Sequence, residues 1–211
     1  STPASFPFNW GTGTTATITF TTSAIGTYTF TLTRNGVSQQ ATVVVEAPAP
    51  IGCNGQYYVS YGSANGASST TSMVKLGFAG STITSNPFAT SPTGIGFNAI
   101  GISPVDGFLY GVRYAPARLV RVAANAPNNV VDLGAITGTN LSSGDQVYAG
   151  CFDSNGDFYF LDNDNDFYKI SGINYPTAPL AATLLGTPNP AGSGTFFIDI
   201  AIDPTDGQLY G

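Results

Sequence analysis

The first 45 residues alternate between hydrophobic and polar positions with a period of two. Three runs show this alternation: Thr15–Thr21, Thr27–Thr33 and Gln40–Val45. In the second run, aromatic and aliphatic residues occupy one set of alternate positions and threonines occupy the other. Because successive side chains of a strand point to opposite faces, the pattern predicts half-buried β-strands.

The dipeptide Asn35-Gly36 separates the second and third runs. Both central positions of a two-residue hairpin turn require positive φ, which Asn and Gly adopt most readily. The sequence therefore predicts a hairpin that pairs Thr27–Arg34 with Val37–Val45.

A proline-rich stretch follows this hairpin. Residues 46–51 read EAPAPI, and alternating prolines stiffen and extend a chain. We place a linker at 47–51, after a module at 1–46 and before a second region at 52–211.

The second region contains an internal repeat with a period of about 50 residues. Asn54-Gly55, Asp106-Gly107, Asn155-Gly156 and Asp206-Gly207 each precede a short aromatic or aliphatic run that contains tyrosine, and their glycines are 52, 49 and 51 residues apart. A second element keeps the same order, with the basic residues Lys75, Arg121 and Lys169 inside apolar runs. Two elements that recur in fixed order indicate true repetition.

Each complete unit divides into four short strands. In the second unit these are Asn98–Ser103, Phe108–Arg113, Arg118–Ala123 and Asn129–Leu133, and in the third unit Val147–Phe152, Asp157–Leu161, Phe167–Ser171 and Ala181–Leu185. Four strands in about 50 residues is the size of one propeller blade. The predicted fold is therefore all-β, with an incomplete β-propeller of four-stranded blades at about 52–90, 95–140, 145–190 and 195–211 (incomplete). A β-helix or other β-solenoid is the alternative architecture.

Charged residues make up 9% of the chain, and the net charge is −6. There is no basic stripe for nucleic acid, and an anionic membrane surface would repel the chain. No apolar stretch approaches the roughly 18 residues that a membrane-spanning helix needs. The low charge and the abundance of Ser and Thr favour an extracellular location.

Two cysteines, Cys53 and Cys151, lie too far apart in sequence for a CxxC redox or zinc motif. They are a disulfide candidate in an oxidising compartment. The alternative is that both are small buried hydrophobic residues.

The run Asp162-Asn163-Asp164-Asn165-Asp166 is the one acidic cluster. Alternate carboxylates at Asp162, Asp164 and Asp166 make it a candidate Ca²⁺ site, because Ca²⁺ takes six to eight oxygen ligands. The alternative is a hairpin turn in which the side chains accept hydrogen bonds from their own backbone. No other cofactor is expected.

The repeated basic and tyrosine positions also allow two interpretations. Lys75, Arg121 and Lys169 would form a basic line for an anionic partner, or else blunt strand edges and cover apolar surface with their stems. The repeated tyrosines would pack in the core or form a platform for carbohydrate. The sequence has no histidine, no G-x-S-x-G elbow and no P-loop, and we predict a protein without enzymatic activity.

The first module resembles the C-terminal part of a PKD-type immunoglobulin-like domain. The resemblance rests on residues 8–13 (FNWGTG), 26–32 (GTYTFTL) and 41–45 (ATVVV), and the segment at Trp10 departs from the family by lacking its acidic residue. It implies a partial sandwich that acts as a spacer or adhesive module.

The repeats resemble the propeller repeats of large secreted surface proteins of Bacteroidota, on Ile102, Pro104 and 106–111 and on Ile202, Pro204 and 206–211. This resemblance implies an adhesin or filament subunit whose partners are neighbouring domains or subunits of the same protein and cell-surface glycans or proteins. A homo-oligomer or filament is compatible with it. A carbohydrate- or calcium-binding lectin-like module is the alternative, and a fragment of a glycan hydrolase or lyase is a third hypothesis.

Overall fold

The chain divides into two compact units, Ser1–Pro48 and Ala49–Gly211, and the division lies within the predicted linker. The computed structural model describes residues 4–9, 15–20, 25–52, 55–62, 69–92, 94–114, 116–124, 130–141, 145–175, 180–188, 197–203 and 205–211.

The described residues of the first unit form two antiparallel strand pairs. Strand β1 (Ala4–Asn9) pairs with β2 (Thr15–Phe20), and β3 (Gly26–Arg34) pairs with β4 (Val37–Val45). Asn35 and Gly36 have φ values of 51° and 78°, which confirms the predicted two-residue turn. The sequence analysis did not predict β1, and the segment at residues 10–13 lies outside the described residues.

The described residues of the second unit form four antiparallel sheets, in which consecutive strands are neighbours. The first sheet contains β5 (Tyr57–Gly62), β6 (Thr71–Ala79) and β7 (Thr82–Thr90); the second contains β8 (Phe97–Ile102), β9 (Leu109–Arg113), β10 (Arg118–Val122) and β11 (Val130–Ala135); the third contains β12 (Val147–Phe152), β13 (Phe158–Asp162), β14 (Phe167–Ile170) and β15 (Ala182–Gly186); and the fourth contains β16 (Ala201–Ile202) and β17 (Leu209–Tyr210).

The all-β prediction is confirmed. The predicted strands of the second and third units agree with the observed ones to within one or two residues, and β12 agrees at both ends. Within the part of the chain that the structure describes, there is no helix with the length and apolar character needed to cross a membrane.

Among the described residues, two hydrophobic clusters lie between neighbouring sheets. The first cluster lies between the second and third sheets and includes Tyr110, Leu119, Phe158 and Tyr168. The second lies between the first and second sheets, where Met73 packs with residues such as Leu109 and Val120. Strand β9 is therefore buried on both faces, which explains why its sequence, LYGVR, does not alternate.

The first strands of the second and third sheets lie side by side. The Asn98 side-chain amide donates a hydrogen bond to the Tyr148 carbonyl (3.0 Å). At the opposite edge, the Thr137 amide donates to the Leu180 carbonyl and the Ala182 amide donates to the Thr137 carbonyl (2.7 and 2.8 Å). Equivalent strands of these two sheets are thus joined at both edges.

Candidate functional site

In the second, third and fourth sheets, the turn between the first two strands contains a carboxylate that accepts a hydrogen bond from a tyrosine hydroxyl. In the second sheet, Asp106 Oδ1 accepts the Phe108 amide (3.0 Å) and Oδ2 accepts the Tyr110 hydroxyl (2.8 Å). Both bonds recur in the fourth sheet, where Asp206 accepts the Gln208 amide (2.8 Å) and the Tyr210 hydroxyl (3.1 Å). The repeated Asp-Gly pair is therefore turn chemistry that fixes the following strand.

The third sheet achieves the same end with a different residue. Asp153 Oδ1 accepts the amides of Asn155 and Asp157 (both 2.9 Å), and Oδ2 accepts the Tyr159 hydroxyl (3.4 Å). Asn155 matches Asp106 in sequence, but here Asp153 accepts the tyrosine hydroxyl. The turn between β12 and β13 spans residues 153–157 and is one residue shorter than the turn between β8 and β9.

The glycines of these turns are structurally equivalent. Gly107, Gly156 and Gly207 have φ values of 73°, 83° and 71°, and Gly55 has 73°. Each of the first three donates its amide to the carbonyl of the residue that directly follows the preceding strand, Ser103, Asp153 or Asp203. The fifty-residue repeat of the sequence is therefore a structural repeat.

The acidic run Asp162–Asp166 forms the turn between β13 and β14. Asp162 Oδ1 accepts the amides of Asp164 and Asp166 (3.0 and 2.9 Å), just as Asp153 does in its own turn. Asp166 accepts the hydroxyls of Thr187 and Tyr168 (2.7 and 3.3 Å), and Asn165 takes the positive φ (62°) that Gly156 takes in the other turn.

This geometry matches the alternative of a turn stabilised by its own side chains. Asp162 is buried, whereas Asp164 is exposed. Among the described residues, no group of three or more His, Cys, Asp or Glu side chains has the geometry to hold a metal ion. Calcium binding at Asp162, Asp164 and Asp166 stays a prediction.

Burial raises the pKa of Asp162 from its usual 3.8 to about 6. Because the pKa of Asp162 is higher in the folded state than in the unfolded state, folding favours the protonated carboxyl. The resulting contribution to stability is complete below about pH 4 and is lost as the pH rises through 6. We expect the Asp162→Asn variant to gain stability relative to the native chain between pH 4 and pH 7, on the order of 2 kcal/mol. Urea unfolding at several pH values would measure it, with Asp164→Asn as the matched control. A difference that does not change with pH would contradict this prediction.

A cavity of about 300 Å³ lies between the first turns of the second, third and fourth sheets. We call it the turn cavity, and its lining combines apolar side chains with two carboxylates and an amide: Ile102, Pro104, Phe152, Asp153, Ser154, Asn155, Ile202, Asp203 and Gly207. Asp203 Oδ1 accepts the amide and the hydroxyl of Thr205 (2.8 and 2.6 Å), and these bonds lower the pKa of Asp203.

The sequence analysis did not predict this cavity. The available signal was the position of Asp153 and Asp203, each of which directly follows the first strand of its unit. The turn cavity can accept hydrogen bonds from hydroxyl or ammonium groups while apolar surface packs beside them.

Cys151 lies in β12, half-buried, and the structure shows it as a free thiol. Burial, and then the charges of Asp199 and Asp153, raise the pKa of this thiol to about 11. Its proposed partner, Cys53, lies outside the described residues, so the predicted disulfide stays a prediction.

The repeated basic residues occupy equivalent positions but make different contacts. Lys169 forms an ion pair with Asp157 (2.8 Å). The Arg121 guanidinium lies over the rings of Phe108 and Tyr175, at 5.0 and 4.6 Å from their centroids. Lys75 lies opposite Tyr58 in the register of β5 and β6.

The repeated tyrosines differ in exposure. Tyr110 and Tyr168 are fully buried in the core between the second and third sheets, whereas Tyr57, Tyr61 and Tyr210 are exposed. Burial raises the pKa of Tyr168 to about 12. The tyrosines thus supply core residues in the middle of the sheet array and surface residues at its ends.

These observations define an all-β repeat protein built from consecutive antiparallel sheets. The chain belongs to the family described as a repeat of unknown function (DUF6923), whose model matches residues 58–211. No curated protein matches the chain.

Proposed function

We propose that this chain is a structural and adhesive segment of a large extracellular surface protein or appendage of bacteria. In this proposal, the first unit is the end of a PKD-type immunoglobulin-like module and the second is part of a β-propeller. The segment serves attachment or assembly and performs no catalytic step.

The observation that carries the proposal is the packing of equivalent residues in successive sheets. Phe158 of the third sheet is buried against the second sheet, and Leu109, at the same position of the second sheet, is buried against the first. Sheets that bury each other in this way cannot stand alone, which is typical of repeat scaffolds that present extended surfaces.

The surface chemistry supports an extracellular location. On β3, Thr27, Thr29, Thr31 and Thr33 are all exposed. This face of β3 therefore presents uncharged hydroxyl groups to solvent. The rest of the chain is also poor in charge, since charged residues make up 9% of the whole sequence.

Labelling of intact cells tests the proposal. We expect an antiserum against the chain to bind intact cells of the source organism, and external protease to remove the signal. Deletion of residues 49–211 from the gene is expected to reduce attachment of the cells to their natural surface. Labelling only after permeabilisation, or attachment unchanged by the deletion, would count against the proposal.

The turn cavity favours a second candidate function, a carbohydrate-binding, lectin-like module. Its carboxylates, its amide and the ring of Phe152 are the groups with which proteins recognise sugars, by hydrogen bonds and apolar packing. A glycan array probed with and without Ca²⁺ distinguishes it from the first: binding that Asn155→Ala abolishes would favour the lectin-like function.

A further inference from the structure

The repeat places equivalent residues of three sheets around the turn cavity. Ile102, Phe152 and Ile202 are the last residues of β8, β12 and β16, and all three line the cavity. Asp153 and Asp203, which directly follow two of these strands, line it as well. The cavity therefore combines apolar surface from three sheets with carboxylates from two of them.

One carboxylate oxygen in this lining is free to bind a ligand. Asp203 Oδ1 accepts the amide and the hydroxyl of Thr205, and these bonds lower the pKa of the carboxyl, so it is ionised at neutral pH. Asp203 Oδ2 accepts no hydrogen bond from the described residues. Both oxygens of Asp153, in contrast, accept bonds from its own turn and from the Tyr159 hydroxyl.

The charge of these carboxylates is not neutralised within the lining. The described residues that line the cavity include no basic side chain, and the ion pairs of the described chain lie on Asp132 and Asp157 instead. Burial is the main cause of the raised pKa of the Cys151 thiol in β12, and the negative charges of Asp199 and Asp153 add to it. The end of β12 thus lies in a negative potential, which a cationic group would offset.

We propose that the turn cavity binds a hexosamine unit with a free, protonated amine. This proposal rests on the lectin-like candidate function and names its ligand class. The ammonium group donates to Asp203 Oδ2, which forms a charge-assisted hydrogen bond. The apolar face of the sugar ring packs on Phe152, whose own ring is held against Phe158 at a centroid distance of 4.7 Å. The sugar hydroxyls bond to the exposed side chains of Ser154 and Asn155.

Other ligand classes match this lining less completely. A neutral sugar leaves the carboxylates without a counter-charge, and an acidic sugar is repelled by them and by the net charge of −6. A lysine side chain supplies the ammonium group but has no hydroxyls for Ser154 and Asn155. The volume of about 300 Å³ lies at the lower end of the about 300–1,000 Å³ of ligand pockets, which suits a single ring.

Calorimetric titration of the full chain with three tetrasaccharides of the same linkage tests the ligand class. These are the tetramers of glucosamine, of N-acetylglucosamine and of glucose, which differ in the group that carries the charge. We expect the glucosamine tetramer to bind at least about 10-fold more tightly than the other two, because only its amine forms a charged hydrogen bond. The same margin is expected over Nα-acetyl-lysine methylamide, which presents an ammonium group without a sugar.

Asp203→Asn locates the binding on the protein. The amide keeps an oxygen that can accept the bonds from Thr205, but it removes the charge. We expect this variant to bind the glucosamine tetramer about 5-fold more weakly. The matched control is Asp206→Asn, which removes the same charge from the same turn at a residue outside the cavity lining, and it is expected to weaken binding less than about twofold.

Three results would overturn the proposal. The first is an N-acetylated or neutral tetramer that binds as tightly as the glucosamine tetramer. The second is a lysine derivative that does so, which would indicate recognition of the ammonium group alone. The third is an equal loss in Asp203→Asn and Asp206→Asn, which would indicate general attraction of a cation to an acidic protein.

The lectin-like function itself is tested separately by the glycan array. Binding of a neutral glycan that Asn155→Ala abolishes would retain that function and contradict only the amine. If the native chain binds no array glycan and no tetramer at about 10 mM, both the ligand class and the lectin-like function are wrong.

Discussion

Gly150→Ala is expected to lower the free energy of unfolding of the second unit by about 3 kcal/mol. Gly150 lies in β12, where the backbone comes close to β8 of the second sheet. A Cβ atom at this position would lie 2.6 Å from the carbonyl carbon of Ala99 and 3.0 Å from the ring of Phe158. Neither neighbour can move freely, since one is backbone and the other is fully buried.

Chemical denaturation followed by circular dichroism measures this loss. The matched control is Gly77→Ala, because the added Cβ meets the hydroxyl of Thr84, an exposed side chain that can rotate away. We expect the control to cost less than about 1 kcal/mol. Equal losses in the two variants would show that the close approach of β8 and β12 does not limit the packing of the sheets.

The strands could be predicted from sequence because their signals are local. Alternation in β3 and the Asn35-Gly36 turn depend only on neighbouring residues, and the structure confirms both. The repeat revealed the strands of the second and third sheets, where the runs of β9 and β13 do not alternate. For strands that are buried on both faces, the sequence repeat is therefore the signal that predicts the strand, because alternation of hydrophobic and polar residues is absent.

Burial could not be predicted in this way. Tyr110 and Tyr210 occupy the same position of the same motif, but one is buried and the other exposed. The difference depends on whether another sheet packs against the strand, which is a non-local property. The same reason explains the missed turn cavity, because its lining comes from three turns about 50 residues apart.

The acidic run shows a different limit. Its spacing fits both an oxygen-rich cation site and a turn, and only the direction of each carboxylate distinguishes them. The Asp162 carboxylate accepts the amides of Asp164 and Asp166, and its side chain is buried, neither of which the spacing of the run reveals.

Asp106→Ala is expected to lower the free energy of unfolding by about 2–3 kcal/mol. Its carboxylate accepts three hydrogen bonds: from the Phe108 amide, the Tyr110 hydroxyl and, at 2.7 Å, the Tyr175 amide of the segment that follows β14. Tyr110 is buried, so removal of the carboxylate leaves its hydroxyl without an acceptor and without water.

The repeat provides the matched control in Asp206→Ala. Asp206 makes the same bonds to Gln208 and Tyr210, but the Tyr210 side chain is exposed and water can replace the lost acceptor. We expect this variant to cost less than about 1 kcal/mol. Denaturant unfolding of both variants gives the comparison directly.

A double-mutant cycle with Tyr110→Phe separates the orphaned hydroxyl from the other two bonds. In the Tyr110→Phe background no hydroxyl remains to be left unpaired, so Asp106→Ala is expected to cost at least about 1 kcal/mol less than it does in the native chain. Strict additivity would mean that the Asp106–Tyr110 bond contributes nothing. The tyrosine of the repeated motif would then stabilise the second and third sheets through its ring alone, and the repeated carboxylate would serve only to shape the turn.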